Sequence, residues 1–109
     1  GIGPEDIDVV QLYDAFTGMV LFALEDFGFC ELGESGEYVA QGNLRIDGKT
    51  PCNTSGGILS EAYIHGLNLV LEGVRQLRGH STSQVDTAKL VLVSGGESVT
   101  PTSGLILGV

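Results

Sequence analysis

Val9-Val10-Gln11-Leu12-Tyr13 is a short, almost continuous apolar run rich in β-branched residues. A run of that length without helical spacing predicts a buried strand. The next run, Met19 to Leu24, is apolar on nearly every helical face. It predicts a helix from Thr17 to Phe27 hidden on more than one side, so another layer of protein is expected over it. Asp14 or Thr17 is placed to cap its start, and Gly28 its end. Leu67, Val70, Val74 and Leu77 recur at three- and four-residue spacing. That stripe predicts a second helix, from Ile64 or His65 to Arg78, with these side chains facing a sheet. Gly79 ends it, after Arg75 and Arg78, whose charge suits the last turns. Lys89 to Ser94 reads as a strong strand, Gly95 to Ser98 as a turn, and Ser103 to Gly108 as a final strand.

The stretches between are polar. Cys30 to Gly42 is acidic and Gly-rich and reads as a surface loop, with Glu31 to Glu37 solvated or turned to a partner. Asn43 to Gly48 reads as a short strand and turn, and Ser81 to Ala88 as a polar connection containing no element. Strand and helix at the start, a helix in the middle and an apolar strand pair at the end describe an α/β layer covered by helices. The 109 residues, 42% of them hydrophobic, make one domain, residues 1–109, with a modest core. No internal repeat is present.

Composition narrows the functions. The formal charge of −9 argues against nucleic acid, which needs clustered Lys and Arg. No apolar run is long enough to span a membrane, and no signal pattern opens the chain. Cys30 and Cys52 have neither metal-ligand spacing nor a disulfide framework, so they read as free thiols of a reducing compartment. The chain begins at Gly1-Ile2-Gly3-Pro4 without a Met, as a segment of something longer would.

The chemistry-bearing stretch is Asn53-Thr54-Ser55-Gly56-Gly57-Ile58-Leu59-Ser60-Glu61-Ala62-Tyr63-Ile64-His65-Gly66. A Gly-rich loop running into a helix presents free N–H groups and a positive dipole end, which suit an anionic or enolate oxygen. Ser60, Tyr63 and His65 bring proton-exchanging side chains to the same stretch. Asp14 and Asn53 read first as a cap and a turn former.

Three stretches resemble, in order, the C-terminal half of the thiolase superfamily. Asp6-Ile7-Asp8 followed by Gln11-Leu12-Tyr13-Asp14-Ala15-Phe16 is similar to the Asn-Glu-Ala-Phe block. Asn53 to Gly66 is similar to Asn-x-x-Gly-Gly followed by Gly-His-Pro-x-Gly. Leu92-Val93-Ser94-Gly95-Gly96 stands where thiolases carry Cys-x-Gly-Gly-Gly. The resemblance implies one βαβαββ half with a mixed sheet under helices, in a chain whose N-terminal half, carrying the nucleophile region and most CoA contacts, lies elsewhere. It implies a homodimer, and inactivity of this half alone. The apolar Thr17–Phe27 helix would be the parent's buried central helix; here it would pack against another copy or leave an exposed patch.

The departures from the pattern carry the functional reading. Tyr13 replaces the Asn or His that orients a catalytic water, and Tyr63 replaces the oxyanion-hole His. Leu92 stands near the missing Cys, with Ser94 the closest polar side chain. Two tyrosines at those positions resemble the lipid-transfer-protein type, related to the sterol-carrier-protein thiolases. Members of that group in steroid-degrading bacteria are aldolases, which release a short acyl-CoA and a ring ketone from a β-hydroxyacyl-CoA by retro-aldol chemistry. They work with a partner carrying an OB-fold and a zinc-ribbon-like domain. The resemblance implies Tyr13 and Tyr63 as the acid–base pair, and His65, Gly56, Gly57, Ser94, Gly95 and Gly96 as substrate or oxyanion contacts. It implies an acyl-CoA substrate without further cofactor or metal, in the cytoplasm. Two other readings stay open: a non-catalytic lipid or acyl-CoA-binding module, and a sterol-carrier-type thiolase.

Overall fold

Val9–Gln11 (β1), Leu90–Gly95 (β2) and Ser103–Gly108 (β3) form a mixed sheet of order β1-β2-β3. These strands are seen in a computed structural model that describes residues 1–96 and 102–109. β1 runs parallel to β2, with Val10 opposite Leu92. β2 runs antiparallel to β3, with Val93 opposite Leu105 and Ser94 opposite Gly104. On the other edge of β1, Cys52 makes an isolated parallel bridge to Val10. The predicted turn residues Glu97 and Ser98 lie outside the described residues.

The residues of β1 and β2 alternate between two covered faces, as the two-residue period of a strand requires, whereas β3 is largely exposed. Val10, Leu12 and Leu92 pack with Ala23 and Leu24 of α1 (Thr17–Asp26). Val9, Val91 and Val93 pack with Ile58 and Leu69, on the side of α4 (Leu67–Leu77) once α2 (Ser35–Ala40) and α3 (Gly57–Ser60) are numbered between them. The mixed, helix-covered α/β architecture agrees with the sequence reading. The helix predicted over Thr17–Phe27 is α1 almost to the residue, closed by bonds from Gly28 N to Glu25 O and Phe29 N to Leu24 O. Within this chain it is buried on one side: Met19, Ala23 and Leu24 are inside, whereas Phe22 is 57% exposed.

Elsewhere the structure departs from the pattern. The acidic stretch is not all loop, because α2 forms within it. Its start is held by Glu25 of α1, whose carboxylate accepts from the Ser35 hydroxyl (2.6 Å) and the Ser35 N–H (3.2 Å). The Ser35 hydroxyl, with backbone N–H groups of Gly33 and Ser35, holds the Glu25 carboxyl below its ordinary pKa. No strand forms at Asn43–Gly48, where successive turns close through Arg45 N to Gly42 O and Gly48 N to Arg45 O.

The second helix starts later than predicted, at Leu67, and presents a different side to the sheet. Its buried residues are Asn68, Leu69, Glu72, Gly73 and Gln76, while Leu67 is 58% exposed. Val70 and Leu77 of the predicted stripe do pack against the core. The physical reason is a satisfied polar network. The Glu72 carboxylate accepts from the hydroxyls of Thr54 and Ser81, both at 2.6 Å. The Gln76 amide donates to Thr54 Oγ1 (2.9 Å) and Ser83 O (2.8 Å), and its oxygen accepts from Val85 N (2.9 Å). Hydrogen-bonded in this way, polar side chains are buried without the large cost of orphaned groups. The network also ties the Asn53 loop to α4.

Candidate active site

The end of β1 is fixed by side chains from the Asn53 loop. Asn53 Oδ1 accepts from Leu12 N at 2.7 Å and its Nδ2 donates to Leu12 O at 3.0 Å. That side chain continues, beyond Cys52, the pairing that the backbone makes at Val10. Asp14 reaches the other way: Oδ1 accepts from Ile58 N at 2.7 Å and Oδ2 from Leu59 N at 3.4 Å. Asp14 therefore caps α3. It does not cap α1, whose N-cap is Phe16, with no side-chain bond there from Asp14 or Thr17. Gly57 (φ +68°) is required by this contact, because a Cβ there would collide with the Asp14 carboxylate.

Tyr13 sits between these two anchors. Its N–H donates to Ser94 Oγ at 3.1 Å, so the end of β2 fixes it as well. Its ring lies against Gly66 (φ +87°), where a Cβ would stand 3.2 Å from Tyr13 Cδ2 and 3.3 Å from Cε2. Gly66 is the N-cap of α4 and closes the turn that carries Tyr63 and His65. His65 itself has a left-handed backbone (φ +53°), a conformation uncommon outside glycine and concentrated at functional sites. The Tyr63 and His65 rings meet with centroids 4.7 Å apart and planes tilted by 48°. Tyr63 is 74% exposed. A cleft of about 360 Å³ is lined by His65, Gly66, Leu67, Val70, Ser94 and Gly95 among others.

His65, Ser94 and Gly95 line this cleft, Tyr13 is tied to two of its lining residues through Ser94 Oγ and Gly66, and Tyr63 meets it only through the His65 ring. Ser94 is almost fully buried (3% exposed). Gly56 and Gly57 do not line that cleft. Gly56 N donates to Asn53 O at 2.8 Å, and the N–H groups of Ile58 and Leu59 go to Asp14. The N–H groups of Gly56, Ile58 and Leu59 are thus occupied from within the chain, and these three lend no support to the expectation of oxyanion donors in this loop. The contact was hidden in the sequence because Asp14 and Ile58 are 44 residues apart.

Leu92, which stands near the thiolase cysteine position, belongs to the core on the α1 side. Cys52 does not line the cleft. Burial pushes its thiol up to about 12. Cys30 is raised too, by burial first and then by Glu25, Glu34 and Glu31. Among the described residues, no three His, Cys, Asp or Glu side chains gather into a metal-binding group. No helix among them is long and apolar enough to cross a membrane.

Residues 1–108 match the family described as thiolase C-terminal domain-like. The chain belongs to that family. This thiolase C-terminal-like domain is 54% identical over 108 residues to a steroid side-chain-cleaving aldolase of Thermomonospora curvata, covering 99% of the domain and 27% of the relative. It is 51% identical over 108 residues to a 17-hydroxy-3-oxo-4-pregnene-20-carboxyl-CoA lyase of Mycobacterium tuberculosis, covering 99% of the domain and 28% of that protein. A solved chain of an Ltp2-ChsH2(DUF35) aldolase superposes with a TM-score of 0.95 at 51% identity, over 99% of the domain and 28% of that chain. The domain spans little more than a quarter of the length of each of these relatives. The thiolase-like fold and the aldolase-type kinship expected from the three motifs are borne out.

Proposed function

We propose that this domain is the C-terminal half of an acyl-CoA carbon–carbon lyase, which cleaves a β-hydroxyacyl-CoA side chain from a steroid ring by retro-aldol chemistry. The observation that carries the reading is the contact of the Tyr13 ring with Gly66, in the turn that bears Tyr63 and His65. It joins the first motif position, Tyr13, to the turn that bears the second, Tyr63, beside the cleft lined by His65, Gly66 and Ser94. The names of the relatives supply the substrate class.

In the proposed step, one tyrosine, as phenolate, takes the proton of the β-hydroxyl. The Cα–Cβ bond breaks, the β-carbon becomes the ring ketone, and the bonding pair passes into an enolate of the thioester. Backbone N–H groups around Gly95-Gly96, with His65, stabilise that enolate oxygen. The other tyrosine then protonates Cα, releasing propionyl-CoA. A phenol ionises near pH ~10 unless its surroundings lower that value, so two phenols in unlike surroundings divide the acid and base roles. Tyr13 is half-buried against Gly66, and Tyr63 is exposed beside His65. No acyl-enzyme forms, so no cysteine is needed. Cys52, with its thiol pushed up to about 12, would be a poor base at neutral pH.

The reading includes an N-terminal half, a homodimer and a partner of the kind named in the Ltp2-ChsH2(DUF35) aldolase. The test is mass spectrometry of the full-length enzyme with its partner on 17-hydroxy-3-oxo-4-pregnene-20-carboxyl-CoA, with and without free CoA. Ring ketone and propionyl-CoA without added CoA support retro-aldol cleavage. Products only with CoA would mean thiolysis, and no products would favour a binding module.

A further inference from the structure

The two tyrosines are held very differently. Tyr13 is fixed through its own N–H and both neighbouring residues, and its ring is packed. Residues 61–65 are all exposed, and the one ring contact that Tyr63 makes is with His65. The turn has few bonds of its own, Ile64 N to Ala62 O (3.0 Å) and Leu67 N to Ile64 O (3.3 Å). What closes it is Glu61. Its Oε2 accepts from Asn68 Nδ2 at 2.5 Å, across the turn in α4, and from Ser55 Oγ at 3.1 Å, in the Asn53 loop. Asn68 is only 6% exposed, so the far end of this clamp is anchored in the body of the fold. Asn68 Oδ1 makes no hydrogen bond with the described residues, so the bond from Nδ2 to Glu61 is the one that holds this side chain among them.

We infer that Glu61 is a positioning residue for Tyr63: its carboxylate joins the two ends of the Tyr63 turn and sets where the phenol stands relative to the Tyr13 ring. This rests on the acid–base reading of Tyr63 given above. Glu61 touches neither cleft nor ring, so it acts through the turn. Displacing a reacting group by about 1 Å costs up to ~10²-fold in rate, and a hydrogen-bonded clamp on a turn with few bonds of its own controls displacements of that size.

The experiment uses the full-length enzyme with its partner. Glu61→Ala is expected to lower kcat by about tenfold or more, with KM nearly unchanged and a modest fall in melting temperature from the Asn68 amide it orphans. Asn68→Asp sets two carboxylates face to face and is expected to lower kcat similarly. Combining Asn68→Asp with Glu61→Gln reverses donor and acceptor across the clamp and is expected to restore most of the rate. A merely structural role would not give that rescue. Glu61→Ala at the wild-type rate, or a combined variant no faster than Asn68→Asp alone, overturns the inference. Tyr63→Phe separates the levels. If it is slow while Glu61→Ala is fast, only the positioning role fails. If Tyr63→Phe is as fast as wild type, the acid–base reading fails and the clamp role goes with it.

Discussion

The Tyr13 ring lies flat enough against Gly66 that a Cβ there would come within 3.2 Å of it. That contact is where the end of β1 meets the start of α4, so the spacing of the proposed acid–base pair depends on a missing side chain. Gly66→Ala adds a methyl against the ring at a left-handed backbone position, which itself costs roughly 1–2 kcal/mol. The expected outcome is a fall in kcat larger than the loss of stability explains. Steady-state kinetics beside thermal unfolding checks it.

Asp14 caps α3 across 44 residues of sequence. Removing a capping oxygen costs ~0.5–2 kcal/mol. Asp14→Ala is expected to lose about that much, and to lower activity as well, because Tyr13 is its neighbour. Asp14→Asn should recover most of the stability, since one amide oxygen still accepts from Ile58. Denaturant unfolding of the three proteins decides this.

Thr54 is the hub of the buried network, accepting from Gln11 and Gln76 (both 2.9 Å) and donating to Glu72. Thr54→Val keeps the shape and removes the hydroxyl. It leaves the Gln11 amide without its partner and the Glu72 carboxylate with one donor fewer. Each orphaned buried group costs ~1–3 kcal/mol, so the variant is expected to melt well below wild type.

β1, β2 and α1 were legible because most of their buried residues are apolar. Val10 packs toward α1, and Val9, Val91 and Val93 pack with Ile58 and Leu69 on the other face. The inward side of α4 was not legible, because Asn68, Glu72 and Gln76 are polar and are buried through bonds to Thr54, Glu61, Ser81, Ser83 and Val85. The helix α2 was hidden for a related reason: Glu25, which holds its start, sits ten residues before Ser35. In the site, the choice of Tyr13 and Tyr63 came from motif positions. The bond from Ile58 N to Asp14 joins residues 44 positions apart, and no local pattern announces it. Glu61 was overlooked although it lies inside the motif, since a charged residue at a helix end has no distinguishing spacing.

Cys52 supplies a prediction in pH. Burial holds its thiol neutral up to about 12 in the folded domain. In the unfolded chain a thiol ionises near ~8.5. Below that pH both states keep the proton and stability is unaffected. Between there and about 12 the unfolded state alone releases it, so stability falls as pH rises, by at most ~1.4 kcal/mol per pH unit. At pH 8 the folded thiolate fraction is roughly a thousandth or less of an ordinary thiol's. Alkylation of Cys52, followed by mass spectrometry, is expected to be slow at pH 8 and to accelerate with pH well beyond 9.

The most direct test of the central claim is the single-turnover cleavage rate of Tyr13→Phe and Tyr63→Phe in the full-length enzyme with its partner. Each variant keeps the ring that packs on Gly66 or His65 and loses only the hydroxyl. The account predicts a loss of ~10²–10⁴-fold in each, the range of a general acid or base, with substrate binding retained. A variant that keeps more than about a tenth of the wild-type rate would contradict it.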